Sequence, residues 1–206
     1  MRELAGLRNP FKTLIVTGIP GVGKTTVLGH VARKLESKKS LVVNFGDYMF
    51  RVAERRGLVN TRDEIRRIGH RQQLELQKAA AQLIIQEATN HLGEEGVLLV
   101  DTHAIVKTSS GYWPGLPKHV VETLKPDSIV IIEADPEQII ARQSRDATRN
   151  RKDLSDLNII KELAEMARKA AISSATLTAS SVYIVTNPPG KPEAAAQQII
   201  SLINKL

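Results

Sequence analysis

The sequence predicts an α/β protein, a five-stranded parallel sheet with helices on both faces. Three observations carry that expectation. Five short apolar runs alternate with stretches whose apolar residues recur at helical spacing, the pattern of parallel strands joined by crossover helices. The first run opens straight into Gly18-Ile19-Pro20-Gly21-Val22-Gly23-Lys24-Thr25, which fits G-x-x-x-x-G-K-[ST] in the strand-then-helix setting where that pattern binds phosphate. The chain has 206 residues, 42% of them hydrophobic, so residues 1–206 are expected to form a single domain with one good core and small insertions.

The first strand is Thr13-Leu14-Ile15-Val16-Thr17. The loop after it, from Gly18 to Thr26, suits a triphosphate, which needs several inward backbone N–H groups with no side chains in the way. Lys24 is placed to reach the β- and γ-phosphates, and the Thr25 hydroxyl, at the positive start of a helix, suits Mg²⁺. A helix is expected over 26–37, with Val27, Leu28, Val31 and Leu35 on one face, and then a second strand at Leu41-Val42-Val43-Asn44-Phe45. A short helix over 48–56 stops at Gly57. Thr61-Arg62-Asp63-Glu64 reads as a capping box, so a long helix is expected from there to about residue 90, with Arg62, Arg66, Arg67 and Arg71 in its first turns. Basic helix faces are ordinarily just solvated. At a helix N-terminus, however, positive side chains oppose the macrodipole, and a bound anion accounts for them.

Val97-Leu98-Leu99-Val100-Asp101 is an apolar strand closed by an acid. Asp101 is expected at the carboxyl edge of the sheet beside the phosphate loop, holding a Mg²⁺-bound water. Residues 102–117 include Tyr112-Trp113-Pro114-Gly115-Leu116-Pro117 and are expected as a loop, and a loop that long in a compact domain is usually functional. His103 has no partner at ligand spacing, which favours hydrogen bonding over metal binding. A short helix over 117–124 and a fourth strand, Ser128-Ile129-Val130-Ile131-Ile132-Glu133, follow. Asp135-Pro136-Glu137-Gln138 starts the next helix, which runs into a polar stretch over 142–153. There Arg142, Arg145, Arg149 and Arg151 put four arginines within ten residues, as suits a loop that closes over phosphates. A long helix over 157–178, a fifth strand Val182-Tyr183-Ile184-Val185-Thr186 and an amphipathic helix with Ile199, Ile200, Leu202 and Ile203 complete the chain.

Lysine and arginine outnumber aspartate and glutamate 29 to 22, a net charge of +7 that serves nucleic acid, an acidic surface or polyphosphate substrates alike. With aromatic residues at 3%, stacking platforms for single-stranded RNA are poorly supplied, which argues against nucleic acid as a partner. The absence of cysteine excludes disulfides and thiolate metal sites. The first ten residues carry no long apolar stretch, and no run approaches about 20 apolar residues, so a soluble cytoplasmic protein with no membrane partner is expected.

Six segments together resemble the P-loop nucleoside monophosphate kinases, and among them the archaeal adenylate kinases, over essentially the whole chain. They are the loop from Gly18 to Thr26, Asn44-Phe45-Gly46-Asp47, Asp63-Glu64-Ile65-Arg66, Asp101-Thr102-His103, Gly111-Tyr112-Trp113-Pro114-Gly115-Leu116-Pro117, and Arg145-Asp146-Ala147-Thr148-Arg149-Asn150-Arg151. The resemblance implies the reaction MgATP + AMP ⇌ 2 ADP, Mg²⁺ as cofactor, and a cytoplasmic homo-oligomer, commonly a trimer. It implies that Gly18, Ile19, Pro20, Gly21, Val22, Gly23, Lys24, Thr25 and Thr26 hold ATP, and that Asp47, Arg62, Arg66, Thr102 and His103 hold AMP. It further implies an acceptor-binding segment over 46–92 and a short lid over 142–154, with Lys24, Arg142, Arg145, Arg149 and Arg151 catalytic and Thr25 and Asp101 serving the metal. The chemistry agrees, because transfer between two nucleotides puts several phosphate charges in line and calls for cations on several sides and exclusion of water.

Several positions depart from the bacterial and animal adenylate kinases. Lys24-Thr25-Thr26 replaces Lys-Gly-Thr, and Asp101-Thr102-His103-Ala104 replaces Asp-Gly-Phe-Pro-Arg, so the acceptor-phosphate arginine of that motif is absent. Arg51 in Gly46-Asp47-Tyr48-Met49-Phe50-Arg51 stands one residue beyond the arginine of Gly-Asp-x-x-Arg. Gly190-Lys191-Pro192 resembles the loop whose backbone holds the donor adenine. The same parts also serve a kinase of another small acceptor (CMP, UMP or a shikimate-like alcohol) or a P-loop ATPase that remodels ribonucleoprotein. A GTPase is disfavoured, since Glu133-Ala134-Asp135-Pro136 stands where an Asn-Lys-x-Asp guanine motif would follow the fourth strand.

Overall fold

A computed structural model describes residues 6–36, 39–108, 111–145 and 156–206. Its layers are set by the strict alternation of side chains along the strands. In β1 (Lys12–Thr17), Leu14 and Val16 enter one half of the core and Ile15 the other. The same division holds for Leu99 against Leu98 and Val100 in β3 (Val97–Asp101), and for Val130 and Ile132 against Ile129 and Ile131 in β6 (Ser128–Glu133). With β2 (Ser40–Asn44) and β7 (Ser181–Thr186) these strands form a parallel five-stranded sheet in the order β2-β3-β1-β6-β7. Both faces are apolar because both are covered, as parallel sheets require.

One face is covered by α1 (Lys24–Lys34) and α7 (Pro192–Ile203), through Val27, Leu28, Val31, Ala195 and Ile199. The opposite face is covered by α3 (His70–His91) and α4 (Lys118–Leu124), through Ala80, Ile84, Ala88, Val120 and Leu124. The helix α6 (Leu157–Thr176) serves both halves: Ile160, Leu163 and Ala167 belong to the first and Ala171 and Ala175 to the second. Strand order reverses around β1, which leads to β2 on one side and borders β6 on the other. That is the place where open α/β sheets bind ligands, outside the carboxyl ends of the strands.

The stretch over 102–117 is not a plain loop. It contains an antiparallel hairpin of β4 (Ile105–Thr108) and β5 (Gly111–Pro114), with Val106 opposite Trp113 and Lys107 opposite Tyr112. The hairpin is fixed by tertiary contacts: Trp113 packs on His70 with ring centroids 4.4 Å apart, and Gln77 Nε2 donates to the Pro114 carbonyl at 3.3 Å.

The long helix expected from Thr61 is broken as well. Residues Arg62–Arg67 form a 3₁₀ turn, Ile68 is extended, and α3 begins at His70. The Thr61 side chain does not cap the backbone; its hydroxyl donates to Glu64, whose other oxygen accepts from the Asn60 N–H at 2.9 Å. Gln73 then donates to the carbonyls of Ile65 and Ile68, so the break leaves those acceptors satisfied. The helix expected over 48–56 starts earlier, as α2 (Phe45–Arg55), because Asn44 accepts from the Asp47 N–H and caps it directly at the end of β2.

These two helices and the 3₁₀ turn enclose a small core of Val52, Ala53, Val59, Ile65 and Leu76. At its far end Glu87 on α3 accepts from the Tyr48 hydroxyl and from Arg51 Nη2 (2.7 Å), while the Arg51 guanidinium lies 4.7 Å from the centre of the Tyr48 ring. The Arg51 hydrogen bond, opposed by burial, holds the Glu87 carboxyl below its ordinary range, and burial first, then Glu87, pushes the Tyr48 phenol up to about 12. Among the described residues no helix is long and apolar enough to cross a membrane.

A depressed carboxyl stabilises the fold above its unfolded pKa and loses that contribution as pH falls through the folded value; a raised phenol stabilises below about 10 and loses it as pH rises through about 12. Tyr48→Phe is therefore expected to lower the unfolding free energy by about 1 kcal/mol at neutral pH. Glu87→Gln is expected to cost stability at pH 7 and progressively less as pH falls below the usual carboxylate range. Urea unfolding across pH checks both, and a pH-independent Glu87→Gln cost would contradict the assignment.

Candidate active site

The loop from Gly18 to Thr26 leaves β1 and turns into α1 through Gly23, which occupies the left-handed region at φ 85°. A Cβ at Gly23 would also lie 2.6 Å from the Asn187 side-chain nitrogen, so both conformation and space call for glycine. Ile19 and Val22 point their side chains into the core beneath the loop, leaving the backbone to face outward. The helix cap at Gly23 supplies no side-chain acceptor, so the first-turn N–H groups of α1 remain for an anion, with Thr25 and Thr26 exposed beside them.

The loop is braced from behind. Asn187, directly after β7, donates its side-chain N–H to the Val22 carbonyl at 2.7 Å, and Arg142 on α5 (Pro136–Arg145) donates to the same carbonyl at 3.1 Å and to Gly21 O at 3.4 Å. Arg142 thus holds the loop backbone itself. In the sequence this bracing role of Asn187 leaves no signal beyond its position at the carboxyl end of a strand.

Register brings the acid to this loop. Asp101 pairs with Val16 on one side and with Asn44 on the other. Lys24 Nζ sits on Asp101 Oδ1, and Asn44 Nδ2 donates to Asp101 Oδ2 at 2.9 Å. Lys24 is 8% exposed and Asp101 7%, so each is the other's main compensation for lost water. Thr102 and His103 follow at once: the Thr102 N–H donates to Val16 O, and His103 Nδ1 lies 2.9 Å from Gly18 O. Thr102 thus extends the pairing of β3 with β1, and His103 contacts the start of the phosphate loop.

On the outer side Arg62 forms an ion pair with Asp47 at 2.5 Å and donates to Asn44 Oδ1 at 2.9 Å. Arg66 lies on the 3₁₀ turn and Arg145 ends α5; Arg149 and Arg151 lie outside the described residues. The structure brings Lys24, Asp101, Asp47 and Arg62 into one chain of contacts through Asn44. Arg51, by contrast, is turned to Glu87.

A cleft of about 320 Å³ opens on the other flank of the loop, between Gly18, Ile19 and Val22, the end of β6, and α6. On its wall Arg168 grips Glu133 with Nε at 3.0 Å and Nη2 at 2.7 Å, and that pairing holds the guanidinium above its ordinary pKa. Glu133, like Asp101, is an acid closing a strand adjacent to β1, and each carries a cation. Arg168 was not singled out from sequence, because nothing local marks its partner 35 positions earlier.

Mg²⁺ fits the donor set. Asp101 offers a carboxylate and Thr25 a hydroxyl, hard oxygens of the kind Mg²⁺ accepts, and it usually completes its octahedron from water and phosphate. Among the described residues no group of three or more His, Asp or Glu side chains forms a metal cage.

A family model described as an AAA domain matches residues 17–161. The chain is 50% identical over 189 residues to the adenylate kinase of Sulfurisphaera tokodaii, covering 91% of this chain and 96% of that protein. It is 48% identical over 190 residues to the adenylate kinase of Saccharolobus solfataricus, with the same shares covered. Among solved structures, a thymidylate kinase from Candida albicans superposes with a TM-score of 0.59 at 12% identity, over 95% of this chain and 92% of that one, a likeness of fold alone. A phosphate loop braced by Asn187 and Arg142, an acid delivered to it by strand register, and near 50% identity over most of its length place this chain in the adenylate kinase family.

Proposed function

We propose that this protein catalyses Mg²⁺-dependent phosphoryl transfer from ATP to AMP, reversibly giving two ADP, and so balances adenine nucleotides. The observation that carries the reading is the continuity of a donor side, Lys24 on its phosphate loop, with an acceptor side, Arg62 and Asp47, across Asp101 and Asn44. Two anionic substrates reacting end to end require two such sides facing one another.

In this reading the backbone from Gly18 to Thr26 cradles the ATP phosphates, and Lys24 exchanges Asp101 for a phosphoryl oxygen as transfer proceeds. Thr25 and Asp101 would hold Mg²⁺, Asp101 through water; when bound, the ion offsets charge on the transferring phosphates. Arg62 and Arg66 take the AMP phosphate, with Asp47, Thr102 and His103 framing the acceptor pocket. Arg62 is suited to this because an exposed ion pair such as Arg62–Asp47 is worth only about 0–1 kcal/mol and is readily given up to a phosphate. Arg142 keeps the loop carbonyls turned away from the anion, while Arg145, Arg149 and Arg151 supply cations from the 142–154 lid. Arg168, preset by Glu133, is a further cation at the cleft. The segment over 46–92 moves with the acceptor as one unit of a single domain. The reading extends to a cytoplasmic homotrimer, a part that draws on family resemblance alone.

Initial rates of ADP formation with AMP, CMP, UMP and GMP test the reading directly. AMP is expected to lead by tenfold or more, about 1.4 kcal/mol of discrimination. A lead for CMP or UMP would make this a pyrimidine nucleotide kinase, and phosphate release without any acceptor would make it an ATPase. Lys24→Ala is expected to lower kcat by about 10³-fold or more. It should also reduce stability by about 3 kcal/mol, because Asp101 loses its buried counterion; calorimetric unfolding beside the kinetics checks both. Arg149→Lys is expected to lower kcat roughly 10³-fold with little change in nucleotide affinity, since lysine cannot reproduce a bidentate guanidinium contact.

A further inference from the structure

Asn44 is the last residue of β2 and binds neither substrate in the reading above, yet three of the groups assigned to substrates or metal there touch it. Its backbone is fixed by pairing with Asp101 in the parallel register. Its side chain is fixed at both ends: Nδ2 donates to Asp101 Oδ2 at 2.9 Å, and Oδ1 accepts from Arg62 Nη2 at 2.9 Å and from the Asp47 N–H at 3.3 Å. The amide can point only one way. An ionised Asp101 only accepts, whereas the Arg62 guanidinium and the Asp47 N–H only donate.

Space has been cleared for this arrangement. A Cβ at Gly46 would lie 2.6 Å from Arg62 Nη2 and 3.2 Å from Asn44 Oδ1, so a side chain at residue 46 would displace the Arg62 guanidinium from its place on Asn44. Asp101, meanwhile, shares its two oxygens between Asn44 and Lys24. The result is one line of alternating charge and dipole running from Arg62 through Asn44 and Asp101 to Lys24.

We propose that Asn44 is a positioning residue that couples the acceptor-side arginine Arg62 to the donor-side carboxylate Asp101. When an acceptor phosphate draws Arg62 toward itself, the Asn44 amide loses the cation that polarises it, and its hold on Asp101 changes with it. Occupation of one side is thereby felt by the carboxylate and lysine of the other. An amide suits this, since the position must donate to an anion and accept from a cation at once, and its nitrogen and oxygen do so on opposite sides of one planar group. The proposal rests on the phosphoryl-transfer reading above, and its test separates the two.

Asn44→Asp, Asn44→Ala, Arg62→Ala and the double variant Asn44→Ala/Arg62→Ala are compared for kcat, for KM of AMP, and for ATP affinity with Mg²⁺ by calorimetry. Aspartate caps a helix as well as asparagine does, so Asn44→Asp preserves the start of α2 and an acceptor for Arg62, but it cannot donate to Asp101 and sets a second carboxylate beside it. It is expected to lower kcat and ATP affinity about tenfold while KM for AMP stays within about twofold. Asn44→Ala is expected to raise KM for AMP about tenfold as well, an effect that shrinks to about twofold in the Arg62→Ala background.

If Asn44→Asp matches the unaltered protein in kcat and ATP affinity, Asn44 is a helix cap only and the proposal falls. Additive effects of Asn44→Ala and Arg62→Ala also overturn it. Failure of the underlying reading shows elsewhere, as absence of ADP formation from ATP and AMP by the unaltered protein. Even then the calorimetric comparison decides the link from Asn44 to Asp101.

Discussion

The parallel pairing of β1 with β3 puts Val16 opposite Asp101, and the site depends on that register. Because the phosphate loop departs from β1 one residue later, at Thr17, the carboxylate on the neighbouring strand arrives beside Lys24 without any loop having to carry it there. A shift of one residue would send Asp101 to the opposite face of the sheet and return an apolar side chain in its place. Burying Lys24 and Asp101 together is costly in itself, and apolar residues in place of such a pair are often as stabilising or more so, so stability alone does not account for it. Here the surrounding core fixes the register: Leu99, Leu98 and Val100 are fully buried on alternating faces and have nowhere else to go.

The second requirement is a loop that keeps its carbonyls out of the way of an anion. Asn187, just after β7, and Arg142, on α5, meet it by bonding the oxygens of Val22 and Gly21 from behind. That closes the carboxyl end of the sheet on itself: the first strand's loop is held by one residue that follows the last strand and by another on α5. Glu133 and Arg168 add a second strand-ending acid with its own cation, so the two neighbours of β1 are treated alike.

How much of this was legible in the sequence depended on whether the cause was local. The three central strands, β1, β3 and β6, were legible because a parallel strand covered on both faces must be a continuous apolar run, the edge strands β2 and β7 because they are short runs rich in β-branched residues, and the phosphate loop because its glycines, lysine and threonine lie within eight residues. The hairpin at 105–114 was not: its strands are four residues long, and Lys107 and Thr108 break the apolar pattern, so only docking on His70 and Gln77 reveals it. The Thr61–Glu64 spacing gave a true local signal that meant something else, since Glu64 reaches back to Asn60 and the turn ends within six residues. Asn187 meets Val22 across 165 positions and Asn44 meets Asp101 across 57; no periodicity carries information over such distances. Arg62 and Asp47 were named as neighbours in function, and their direct pairing emerges only when the 3₁₀ turn folds back over the start of α2.

The helix α6 crosses from one half of the core to the other, with Ile160, Leu163 and Ala167 on the first side of the sheet and Ala171 and Ala175 on the second. It acts as a rivet through the margin of the sheet beside β6 and β7. Two half-cores that share one helix are expected to melt together, so their slowest-exchanging amide protons should belong to a single cooperative unit. The small satellite core around Val52 and Leu76 has no share in that rivet. Its amides are therefore expected to exchange through a local opening of lower free energy, with the sheet beneath them intact.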